Sequence, residues 1–90
     1  MKELAYLERE QEILHALLLH MQNKIQYYEM QVNTLVRSMG LYSMQHEDLV
    51  LIQKQLEKYM QSMEYSIKMK KLIKDYLDSI HEKIAEIVGK

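Results

Sequence analysis

The sequence predicts an all-α protein in which two long helices fold back on each other as an antiparallel, coiled-coil-type hairpin. Three observations carry this. First, apolar residues recur at alternating steps of three and four from Leu4 to Met39, interrupted only by Gln11. As heptads, position a holds Leu4, Gln11, Leu18, Ile25, Val32 and Met39, and position d holds Leu7, Leu14, Met21, Tyr28 and Leu35. Second, a further frame puts Leu49, Leu56, Met63, Lys70, Leu77 and Ile84 at a, with Ile52, Tyr59, Ser66, Ile73, Ile80 and Ile87 at d. Apolar seams sustained over several heptads belong to helices built to lie along other helices. Third, the 90 residues contain no proline and two glycines, and the single interior glycine, Gly40, falls where the first ladder stops.

The first helix is expected over about residues 2–39. Gly40 is a natural C′ residue, able to adopt the left-handed conformation that ends a helix, with Leu41 folding back on Val36 in a Schellman arrangement. A turn is expected over about 40–43. Ser43 is a candidate N-cap, and Glu47 and Asp48 fall near the next first turn, where the helix dipole favours anions. The second helix is expected over about 44–88. So short a link makes the helices antiparallel neighbours, and the whole chain, 1–90, reads as one helical-hairpin domain. Folding at Gly40 also brings the acidic start (Glu3, Glu8, Glu10, Glu12) roughly alongside the basic Lys68, Lys70, Lys71, Lys74 and Lys83. Exposed pairs are worth only ~0–1 kcal/mol each, so this charge pattern selects register more than it stabilises.

Beyond the seam, both helices carry apolar residues at c and g, which an antiparallel pair places on one side. Tyr6, Ile13, Leu17 and Tyr27 from the first helix join Tyr65, Met69, Leu72 and Tyr76 from the second; His20 and Leu51 also belong to this side. Two helices alone cannot bury such a stripe, and a contiguous exposed apolar face marks a contact surface. Dimerisation into a four-helix bundle is the simplest solution, with a protein partner on the same face as the other. The b/e side is more polar, although Leu19, Met60 and Ile67 interrupt it.

Chemistry-bearing constellations are few. Glu12-Ile-Leu-His15 and Asp78-Ser-Ile-His81 share the acid-x-x-His spacing of carboxylate-bridged di-metal bundles. Both fall on the polar b/e side rather than inside the bundle, so Glu12, His15, Asp78 and His81 read chiefly as a solvated face and no metal is assigned. Lys68, Lys70, Lys71 and Lys74 could meet phosphates, but Asp75 and Asp78 follow and the net charge is −1. That balance disfavours nucleic acid or acidic lipid as a partner. Eight methionines suit a pliable contact surface, though Met21, Met39 and Met63 fit the seam. Without cysteine there is no disulfide, thiol chemistry or thiolate metal site. Gly-rich loops and Ser-His-acid arrangements are lacking, so neither enzymatic activity nor a cofactor is expected.

The N-terminal stretch carries acids where a signal peptide needs an apolar core. Ala16–Leu19, the longest aliphatic run, is far short of the ~20 residues that cross a bilayer. A soluble, cytoplasmic protein is expected. In size and mid-chain turn the chain resembles the small helical hairpins of type VII secretion, but Ser38-Met39-Gly40 lacks the tryptophan of their Trp-x-Gly turn. Gly40-Leu41-x-Ser43 is similar to a stretch of the sporulation-type aspartyl-phosphate phosphatases. Their Ser-Gln-Glu-Leu-Asp motif is not matched by Gln53-Lys54-Gln55-Leu56-Glu57, and neither family is assigned. The function expected is that of a non-enzymatic, oligomeric regulator, adaptor or assembly factor working by protein–protein interaction. A nucleic-acid-associated accessory factor and a metal-carboxylate bundle are the alternatives.

Overall fold

The computed structural model describes residues 2–41 and 46–89. It contains two helices, α1 (Lys2–Leu41) and α2 (His46–Val88), packed against each other along their length. Contacts between early α1 and late α2, and between Tyr28 and Tyr59 nearer the turn, make the pair antiparallel. The result is a rod measuring 67 × 16 × 15 Å.

The heptad frames predict the seam. Every a and d residue from Leu4 to Leu35, and from Leu49 to Ile87, is buried or half-buried. Only Met39, at the end of α1, is exposed. Burial is uneven along the rod. Leu7, Ile73, Leu77 and Ile80 form the buried core, all toward the end that holds both termini. Toward the turn the seam residues are half-buried, as expected where two helices lack a third element to close over them.

Polar seam positions are accommodated locally. The Ser66 hydroxyl, 3% exposed, donates to the carbonyl of Ser62 at 2.9 Å, so its burial leaves no orphan donor. Lys70 is half-buried beside Gln22, Ile25, Gln26 and Glu29, its stem in the seam. Halfway along, Tyr28 and Tyr59 face each other across the seam at 6.1 Å between ring centroids, and Tyr27 meets Tyr28 edge-on at 5.5 Å. Both separations are within the range of favourable aromatic pairs.

One expectation needs correction. Gly40 is not a left-handed cap: no glycine has positive φ among the described residues, and α1 continues through Gly40 to Leu41. Glycine permits the left-handed conformation without requiring it, and even a Cβ at Gly40 would meet nothing within 4 Å. The remainder of the expected turn and the proposed Ser43 cap lie outside the described residues, as does the Leu41–Val36 contact. Helix α2 is described from His46, with Glu47 and Asp48 in its first turn; the expected start at about 44 lies outside the described residues.

The facing charge blocks make few direct contacts. Among the described residues the one ion pair within 4 Å is Glu64–Lys68, inside α2 at 3.4 Å, and none links the helices. Long exposed side chains remain hydrated rather than lose rotamer freedom for a pair of this low value. Polar ties between α1 and α2 are made instead by uncharged donors.

Candidate functional site: an apolar face beside the seam

The c/g side follows from the same periodicity as the seam. A two-helix seam consumes a and d, so an apolar residue at c or g is left outside. Tyr6, Ile13, Leu17 and Tyr27 on α1, with Tyr65, Leu72 and Tyr76 on α2, are 42–65% exposed. Met69, expected in the same set, is half-buried at the margin of the seam. These residues occupy the half of the rod nearer the termini. Closer to the turn the same side becomes more polar, where Thr34 and Ser38 turn their hydroxyls back onto the carbonyls of Met30 (2.8 Å) and Thr34 (2.9 Å), and Leu51, 65% exposed, continues the apolar side. The apolar face is therefore densest in the half nearer the termini.

Its edge is held by a tie that heptad reading does not anticipate. The Tyr76 hydroxyl donates to Oε1 of Glu10 at 2.7 Å, joining g of α2 to g of α1. The bond to the neutral phenol raises the Tyr76 pKa above its ordinary 10.0, and repulsion between the Glu10 carboxylate and a phenolate adds to it. Tyr6, Arg9, Glu10, Ile13 and Leu14 line a shallow groove next to this tie. The signal available in the sequence was that Glu10 and Tyr76 share the c/g side and come abreast when the chain folds back.

On the opposite side, Gln11 explains its own break in the ladder. Its amide Nε2 lies 2.7 Å from Nε2 of His81, an interhelical bond in which the amide donates to the neutral ring. His15 joins them, its ring centroid 6.0 Å from that of His81. Of the four residues weighed as metal ligands, the fold thus brings the two histidines together. Among the described residues, no three His, Asp or Glu groups converge as a metal site would need. Glu12 and Asp78 are exposed on the same side. Leu19, Met60 and Ile67 are also exposed, 49–58%, and Met60, Met63 and Ile67 line one groove, so the b/e side carries a smaller apolar patch flanked by charged residues.

No protein-family model, curated protein or solved structure matches the chain. No helix among the described residues is long and apolar enough to cross a membrane.

Proposed function

We propose that this chain is a non-enzymatic helical-hairpin protein that acts by protein–protein contact, with the c/g face as its contact surface and a second copy as its first occupant. The observation that carries the reading is the apolar face itself, whose tyrosines and aliphatic residues stay 42–65% exposed once the hairpin has formed. Fully burying side chains of this size contributes ~1.5–3 kcal/mol each. Several of them, doubled by a twofold axis, exceed the ~4–15 kcal/mol cost of association. A regulator, adaptor or assembly factor of this kind works by offering or withdrawing such a face.

Sedimentation at micromolar concentration tests the reading. The parent is expected to run as a dimer. Leu17→Glu combined with Leu72→Glu puts charges into the face but leaves the a/d seam intact, and is expected to give a helical monomer. A monomeric parent would defeat self-association, and an unshifted dimer in the double variant would place the interface elsewhere.

A further inference from the structure

The face carries information about how its occupant sits. The protein exposes 7365 Å² of surface, against about 5,600 Å² for a compact monomer of its mass of 10.9 kDa. Its radius of gyration is 20.0 Å, where a compact chain of this length has about 12 Å. Seven exposed apolar side chains of the c/g face, at ~150–250 Å² each and about half uncovered, present roughly 500–900 Å². A standard interface takes ~800 Å² from each partner. The area is therefore of the order that one stable dimer contact needs.

Charge fixes the orientation. Two copies can meet through this face about a twofold axis running either along the rod or across it. Leu17 and Leu72 lie between the Glu10–Tyr76 and Tyr28–Tyr59 contacts, near the middle of the apolar half. One heptad before Leu17 stands Glu10 and one heptad after it Lys24. Two heptads before Leu72 stands Lys58, and two heptads after it Glu86. An axis across the rod at Leu17 and Leu72 sets α1 against the partner's α1, and α2 against the partner's α2, each pair antiparallel. Glu10 then faces the partner's Lys24, and Lys58 faces the partner's Glu86, each twice. Tyr6 falls opposite the partner's Tyr27. With the axis along the rod, α1 would face the partner's α2 at the same height: Glu3 then meets the partner's Lys83, but Glu10, Lys24, Lys58 and Glu86 meet no opposite charge. Matching signs at the rim select register and orientation, while the apolar centre supplies affinity.

We infer that two copies of this chain dimerise through the c/g face about a twofold axis crossing the rod at Leu17 and Leu72, the Glu10/Lys24 and Lys58/Glu86 pairs fixing the register. This rests on the self-association proposed above.

The chain has no cysteine, so introduced thiols report proximity without interference. Lys58→Cys and Glu86→Cys proteins, both altered at exposed positions, are mixed, allowed to exchange subunits, and treated with a short bifunctional maleimide. The crossed arrangement places the two thiols side by side and gives the mixed cross-linked dimer. Within α2 those positions are about 42 Å apart, so the axis-along-the-rod arrangement gives none. Charge reversal is the second measurement. Lys58→Glu is expected to weaken the dimer about tenfold at low salt, and adding Glu86→Lys to restore it. A parent dimer that gives no mixed cross-link, or whose Lys58→Glu loss is not rescued by Glu86→Lys, overturns the register and leaves self-association standing. A parent that is monomeric by sedimentation overturns both.

Discussion

Tyr76 and Glu10 are held at 2.7 Å, phenol to carboxylate, across the two helices and along the margin of the exposed apolar face. Their bond gives the hairpin an alkaline weak point. The folded-state pKa of Tyr76 is raised above 10.0, so the bond stabilises the fold fully below the unfolded value. That contribution is lost as pH rises through the folded value, because the phenolate can no longer donate and is repelled by Glu10. Absorbance titration at 295 nm should show one tyrosine ionising later than its peers. This late phase should vanish in Tyr76→Phe and move to lower pH in Glu10→Gln. The parent should also lose more thermal stability than Tyr76→Phe between about pH 9 and 12. Equal losses would mean that the bond does not form in solution.

Gly40 provides a test of sign. It is helical, its φ is not positive, and a Cβ added there would meet nothing within 4 Å. Gly40→Ala should therefore stabilise the protein, by about 0.5–1 kcal/mol, through lower backbone entropy in the unfolded chain. A left-handed cap at this position would give destabilisation instead. Denaturant unfolding of the two proteins decides between them.

How far the fold could be read in advance depends on which physical effect sets each feature. The seam was legible because a period of 3.5 is imposed by helix geometry on every turn, and one error such as Gln11 does not erase it. The exposed c/g residues followed by elimination, since two helices offer only one shared seam. Gly40 was not legible: a residue that tolerates two backbone conformations does not say which it adopts. The individual polar ties were not legible either: beside the Glu3–Glu12 and Lys68–Lys83 blocks, the interhelical bonds formed are Tyr76–Glu10 and Gln11–His81. Forming those required the axial stagger of the helices to within one turn, which heptad periodicity leaves free.

Burial concentrated near the termini predicts an uneven response to truncation. Ile80 is 1% exposed and central to the packed end, and Ile80→Ala should cost about 2–5 kcal/mol, the range for emptying a core site. Leu56→Ala, at a half-buried seam position nearer the turn, should cost less because its neighbours are already open to water. Amide hydrogen exchange should follow the same order, slowest around Leu77 and Ile80 and faster around Leu49 and Ile52. Uniform protection along α2 would show that the turn end packs as tightly as the other.

Lys70 is the costliest member of the seam. It occupies an a position in a layer next to buried Ser66, and its stem is half-buried beside Gln22, Ile25, Gln26 and Glu29. Among the described residues no carboxylate lies within 4 Å of its ammonium, so the charge reaches water rather than a partner. Keeping it hydrated leaves the layer open, whereas leucine at the same position can pack inward against Ile25 and adds buried apolar area. Ser66 already satisfies its own hydroxyl through Ser62 and makes no demand on Lys70. Lys70→Leu is therefore expected to stabilise the hairpin by about 1 kcal/mol, raising the melting temperature by roughly 4–8 °C for a chain of this size. A polar residue at a single a position also specifies register. The leucine variant should thus show broader amide resonances or a mixed oligomeric state even as it melts higher. A fall in melting temperature would mean that the Lys70 ammonium is engaged by a carboxylate in solution, with Glu29 the nearest candidate along that hollow.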